Sequence, residues 1–167
     1  MSTAASSAVV IGVGNSWAGD DAAGVLVVRL VRDRVPPGVT VVEHEGEPTA
    51  LLDAWQGAGL AIVADATYGG APAGAVRVLD ATHQPLPAGF TGTSTHAFSL
   101  AQAIELGRAL GRLPDRLVVV GIEGDRFEAG ARPGPAVSAS LEQAAAQVLT
   151  VVCEHFHDSR APVRAET

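Results

Sequence analysis

Read for its rhythm of apolar and polar positions, the chain alternates two patterns. Short, mainly apolar runs at 8–13, 60–65 and 116–122 have the length and Val/Ile content of strands buried on both faces of a parallel sheet, and 39–43 reads as a further strand. Between them lie longer stretches with apolar residues at helical spacing. One helix is predicted to begin at Asp20 or Asp21 and run to about residue 34, with Val25, Leu26, Val28, Leu30 and Val31 on its apolar faces, until Pro36, Pro37 and Gly38 stop it. A second is entered at Pro48, a favoured first-turn residue, and covers 48–56. A third covers 96–111 and a fourth 137–156. Residues 75–80 alternate and predict a more exposed edge strand, while 84–95 and 127–135 read as irregular Gly/Pro segments. Strands alternating with helices predict an α/β fold: a single domain with a mostly parallel twisted sheet of about five strands and helices on both faces. The domain is expected to span 1–158, followed by a mobile polar tail at 159–167.

Composition narrows the classes. A chain of 167 residues suits one core, and 47% hydrophobic against 17% charged residues rules out wholesale disorder. With aromatics at only 4%, that core has to be built from Ala, Val, Leu and Ile. A net charge of -7 without a Lys/Arg run argues against a nucleic-acid partner. The single cysteine, Cys153, permits no intrachain disulfide, which fits a reducing compartment. Among Val148, Leu149, Val151 and Val152 it reads as a buried structural thiol. His155 and His157, two apart, read as surface residues on a fraying helix end. Residues 1–8 carry no basic residue and no long apolar stretch, and no apolar run reaches the ~20 residues that cross a bilayer. A cytoplasmic protein without a membrane partner is expected.

Open parallel sheets bind ligands beyond the carboxyl ends of their strands. The first strand delivers Gly12-Val13-Gly14-Asn15 and then Asp20-Asp21, the third delivers Asp65, and the third helix opens on Ser94-Thr95-His96. A dinucleotide fingerprint would need a small residue three positions after Gly14, where Trp17 stands. Each acid also has a plain structural reading: Asp20 and Asp21 as helix caps, Asp65 as a turn former at a strand end. His96 can simply start a helix. Together, Asp21, Asp65 and His96 make a donor set for a divalent transition metal such as Zn, Fe, Co or Ni, with positions left for water or substrate. Ser94 and Ser99 flank His96 but form no nucleophile elbow.

These motifs resemble the peptidases that mature nickel-iron hydrogenases by trimming the C-terminus of the large subunit. The resemblance rests on Gly12-Val13-Gly14-Asn15 leading to Asp20-Asp21, on Ile62-Val63-Ala64-Asp65-Ala66, on Ser94-Thr95-His96, and on Val118-Val119-Val120-Gly121-Ile122. It implies an endopeptidase that removes the C-terminal extension of a nickel-iron hydrogenase large-subunit precursor after nickel insertion. It further implies that Asp21, Asp65 and His96 act as catalytic and metal-binding residues. The nickel would arrive with the substrate, and another divalent ion could take its place in the isolated protein. Where relatives often carry Asp-Gly-Gly after the second strand, this chain has Glu45-Gly46-Glu47. Gly46 keeps the turn, and Glu45 is either an extra acid for the cleft or a solvated loop charge. Trp17 is expected to be partly exposed and to touch the precursor. Two other readings stand beside this one: a non-catalytic, metal-dependent docking or maturation factor, and a nucleoside hydrolase or phosphorylase on a similar sheet.

Overall fold

The strands are β1 (Ala8–Val13), β2 (Val39–His44), β3 (Leu60–Thr67), β4 (Val76–Asp80) and β5 (Arg116–Glu123), in a computed structural model that describes residues 7–90 and 95–160, without the side chains of 95–99. They form one sheet in the order β2-β1-β3-β5-β4. The first four in that order are parallel, and β4 closes the edge antiparallel to β5. The strands predicted to be buried on both faces occupy the middle: β1 and β3 are buried along their whole length and β5 from Leu117 onward. The edge strands β2 and β4 are only half-covered, which is why their patterns carry more polar residues.

Four helices cover the sheet: α1 (Ala23–Val31), α2 (Pro48–Trp55), α3 (Thr95–Leu110) and α4 (Pro135–Asp158). Side-chain alternation along each strand divides the core in two. Val10, Leu60, Ile62, Val118 and Val120 pack under α1 and α4, while Ile11, Ala61, Val63, Leu117 and Val119 pack under α2 and α3. Trp55 is fully buried in the second half and satisfies its indole by donating Nε1–H to the Arg112 carbonyl at 3.1 Å. On the other face α1 lies almost on the sheet backbone. A Cβ on Gly24 would fall 2.2 Å from the Ala64 oxygen, and one on Gly12 would fall 2.5 Å from the Gly24 oxygen. Gly12 is therefore a packing glycine that lets a helix approach a strand.

Several boundaries and environments differ from the sequence reading. Asp20 and Asp21 do not start the first α-helix; they sit in a separate 3-10 turn, Gly19–Ala22, and α1 ends at Val31. Asp65 does not close its strand, because pairing with Gly121, Ile122 and Glu123 carries β3 on to Thr67. The last helix starts at Pro135 and runs unbroken to Asp158. Its inward stripe is Val148, Val151, Val152 and then half-buried His155, one helical repeat after Val148. Cys153 falls off that stripe and is exposed, so it is not the buried thiol its neighbours in sequence imply. His155 is likewise no residue of a fraying end: burial, aided by the Arg116 charge, holds its pKa below the ordinary histidine value. In length and mean hydropathy α4 is the one helix among the described residues that could cross a bilayer, but it is interrupted by polar residues and here it is a core helix packed on α1 and β5. Residues 1–6, Ser94 and the expected tail beyond 160 lie outside the described residues.

Candidate functional site

The loop leaving β1 is shaped by its own motif residues. Gly14 continues the ladder by donating its N–H to the His44 carbonyl at 3.1 Å, at φ +147°. A Cβ there would lie 1.9 Å from the Asp21 carbonyl oxygen, so Gly14 is what allows Asp21 to fold back over the strand end. Asn15 then does two jobs. Its side-chain oxygen accepts the Trp17 N–H at 2.9 Å, and its own N–H donates to Asp21 Oδ2 at 3.0 Å. The Gly-x-Gly-Asn sequence thus reads as a device for turning the chain and orienting a carboxylate.

The two adjacent acids have different surroundings. Asp20 is fully buried and makes no cap on its own turn. Its Oδ2 accepts the N–H groups of Asp125 and Arg126 at 2.9 and 3.0 Å, and its Oδ1 accepts that of Gly134 at 2.7 Å. The simple helix-cap reading of Asp20 is therefore replaced by a tie to the β5–α4 loop. Asp21 is buried over the carboxyl end of β1, beside Asn15 and Gly14.

Asp65 is buried within β3. Since Gly12 pairs with Ala64, Asp65 follows at the level of Val13, where β1 ends. By alternation it shares the sheet face of Ala61 and Val63, the face covered by α3. His96 is the second residue of α3, with its side chain outside the described residues. Asp21 and Asp65 thus stand at the carboxyl ends of neighbouring strands, and the helix that begins with Thr95-His96 packs on the face that Asp65 shares. Two carboxylates and an imidazole are a donor set suited to a divalent transition metal. Among the described residues no group of three such side chains is arranged to hold an ion; the expected set counts His96.

One site-supporting acid escaped the sequence reading. Glu123, buried at the end of β5, accepts the Thr67 hydroxyl at 2.7 Å and the N–H groups of Gly69 and Gly70 at 2.7 and 2.9 Å. It fixes the chain just beyond Asp65. A carboxylate closing the otherwise apolar run 117–122 was the clue.

Beside the β1 loop opens a cleft of about 780 Å³, lined by Asn15, Trp17, Val25, His44, Glu45 and Pro48 among others. Its far wall, the β2–α2 turn, is held by short-range bonds: Gly46 N–H to His44 Nδ1 at 2.8 Å, and Thr49 and Ala50 N–H to the Glu47 carboxylate at 3.0 and 2.8 Å. Glu47 is thereby the N-cap of α2, and the Thr49 hydrogen bonds hold its carboxyl below the ordinary carboxylate range. Glu43 is engaged by Arg29 at 2.8 and 3.0 Å, and that hydrogen-bonded guanidinium lowers its pKa as well. Glu45 is exposed and lines the cleft, so it is both a solvated charge and an acid within reach of an occupant. Trp17 is 77% exposed at the rim, more than the partial exposure expected.

Comparison with known proteins adds the following. A family model described as hydrogenase maturation protease matches residues 25–151, taking in Asp65 and His96. The hydrogenase 2 maturation protease of Escherichia coli strain K12 is 31% identical over 151 residues, covering 87% of this chain and 90% of that protein. A hydrogenase expression/formation protein of Azotobacter chroococcum is 30% identical over 151 residues, covering 87% of this chain and 71% of its own. Among solved structures, the hydrogenase maturating endopeptidase of E. coli superposes with a TM-score of 0.77 at 29% identity, covering 89% of this chain and 93% of that one. A nickel-iron hydrogenase maturation protease from Thermococcus kodakarensis, at 18% identity, shares the fold with a TM-score of 0.68 over 87% of this chain and 99% of its own.

Proposed function

Because the chain belongs to the hydrogenase maturation protease family, we propose that it is the cytoplasmic endopeptidase that removes the C-terminal extension of a nickel-iron hydrogenase large-subunit precursor once nickel is in place. In this reading the nickel belongs to the substrate, and Asp21, Asp65 and His96 grip it and so bring the adjoining peptide to the cleft. The observation that carries the reading is the burial of Asp21 and Asp65 at the carboxyl ends of adjacent parallel strands, on a sheet where the first turn of α3 carries His96. Bound nickel would supply Lewis acidity or a fixed anchor at that point. The protein's own part is to present two carboxylates in a buried setting, where attraction to a cation is less screened than in water. Cys153 is no nucleophile for this reaction: it lines a surface hollow with Arg116, the first residue of β5, at the opposite end of the sheet. A nucleoside-handling enzyme fits less well, since the space over Gly12 at the end of β1 is filled by helix packing and that over Gly14 by the Asp21 carbonyl.

The test is incubation of the protein with nickel-loaded and nickel-free precursor, following release of the C-terminal peptide. Wild type is expected to cut only the nickel-loaded form. Asp21→Ala, Asp65→Ala and His96→Ala are each expected to lose activity by about a hundredfold or more while circular dichroism stays native. Equal cutting of the nickel-free precursor, or an active His96→Ala, would remove the metal-recognition mechanism.

A further inference from the structure

Asp21 occupies a 3-10 turn of four residues, Gly19–Ala22, that carries no side-chain cap of its own. What holds that turn comes from the far end of the chain. Three main-chain bonds join the β1 loop to the β5–α4 loop: Gly19 N–H to the Ala131 carbonyl at 3.1 Å, Asp20 N–H to the Arg126 carbonyl at 2.7 Å, and Gly130 N–H to the Trp17 carbonyl at 2.6 Å. Three more bonds converge on the Asp20 carboxylate, from Asp125, Arg126 and Gly134. Gly134 is the N-cap of α4, so the carboxylate also sits where a helix favours negative charge. The fit is close: a Cβ on Gly19 would fall 2.3 Å from the Arg126 oxygen, and one on Gly124 would fall 2.7 Å from Asp20 Cβ.

We infer that Asp20 is a positioning residue for the cleavage reaction: by clasping the 124–134 loop it sets the orientation of the Asp21 carboxylate. The inference rests on the reading above that Asp21 takes part in the site. The physical argument is one of acceptors. Asp20 uses both carboxylate oxygens for main-chain N–H groups, and such charge-assisted bonds are stronger than neutral ones. Replacing it by Asn puts an NH₂ group against N–H donors in either flip, so at least one loop contact is lost without a change in side-chain volume. The turn then loses part of what fixes it, and Asp21, the next residue, moves with it.

The reporter is the Asn15 amide, which donates to Asp21 Oδ2 and shifts in an NMR spectrum of the full chain when that carboxylate moves. For Asp20→Asn the Asn15 resonance is expected to move, and the Asp125, Arg126 and Gly134 amides to lose hydrogen-exchange protection. With nickel-loaded precursor, kcat is expected to fall about tenfold to a hundredfold with KM within about twofold, since an ångström of misplacement is enough for that. A residue that merely stabilised the fold would lower the melting temperature and leave the Asn15 amide and kcat at wild-type values; that result overturns the inference. If Asp20→Asn does not fold, Gly124→Ala applies the same test from the β5 side, because its Cβ presses on Asp20 while every hydrogen-bonding group stays. It should move the Asn15 amide in the same way, with a smaller loss in kcat, and a folded Gly124→Ala unchanged in both measures would likewise overturn the inference. Asp21→Ala, run in parallel, separates the two ideas. Retained activity there removes the function of Asp21 whatever Asn15 does, whereas an unmoved Asn15 amide in Asp20→Asn removes the clasp whatever Asp21→Ala does.

Discussion

The two walls of the cleft are built on opposite plans. The β1 wall, which carries Asn15 and Trp17 and leads on to Asp21, is tied to residues more than a hundred positions away through Asp20 and the 124–134 loop. The β2 wall, beyond the ladder bond to His44 and the Arg29 pair on Glu43, is organised by neighbours: His44 with Gly46, and Glu47 with Thr49 and Ala50. A wall held from afar keeps its geometry but tolerates little change, because each substitution is felt across the sheet. A wall held locally can change residues without disturbing the core. Asp21, one of the three proposed site residues, follows directly on the braced side, and Glu45-Gly46-Glu47, where the resemblance led one to expect Asp-Gly-Gly, falls on the self-contained side.

The sharpest way to break this contrast is a pair of matched glycine substitutions. Gly14→Ala drives a Cβ to 1.9 Å from the Asp21 oxygen at a φ of +147°, and is expected to cost about 3–5 kcal/mol. That lowers the melting temperature by roughly 10 °C. Gly46→Ala, at φ 91° on the other wall, should cost only the about 1–2 kcal/mol of an alanine in the left-handed region. Equal losses in a thermal melt would mean that the walls do not differ in kind.

Next in size is Trp17→Ala. With the indole 77% exposed, its loss should shift the melting temperature by less than about 2 °C, yet weaken precursor binding about tenfold if Trp17 is a contact residue. Calorimetric titration with precursor reads the second number, and unchanged affinity would leave the braced wall without a docking role.

The smallest effect belongs to Glu47. Its carboxyl is held low by the Thr49 bonds, so its capping contribution is present at neutral pH and disappears as the pH falls below the ordinary carboxylate range. Glu47→Ala should melt about a degree below wild type at pH 7, and the gap should close in acid. A gap that survives acid would mean the helix end is held by something other than the ionised cap.

Much of this molecule was readable along the chain, and what was not shares one cause. The buried runs, the alternating edge at β4 and the proline-entered α2 follow from periodicity and turn chemistry, which are local. Asp20 and Asp21 are indistinguishable in sequence; what separates them is a set of donors that arrives 105, 106 and 114 residues later. Asp65 looked like a strand end because the apolar run stops there, but a ladder with β5 carries the strand on. Cys153 was judged by its neighbours in the chain, whereas its exposure is decided by helical phase: Val148, Val151, Val152 and His155 turn inward, and residue 153 does not. The acids of the candidate set were found by motif, and their common end of the sheet by the rule for parallel strands. The part played by His96 rests on the motif and on its place in the first turn of α3.

The clasp on Asp20 also orders events in time. Its donors, Asp125, Arg126 and Gly134, are synthesised after β1, β2, β3 and α3, and more than a hundred residues after their acceptor. Chains grow at roughly 5–20 residues per second, so the acceptor waits several seconds for its partners. Until β5 has docked and α4 has begun, the turn bearing Asp21 has only its local bonds and lacks those that the 124–134 loop supplies. A newly made chain therefore completes its sheet and braces the turn bearing Asp21 in one stretch of synthesis, from β5 to the start of α4.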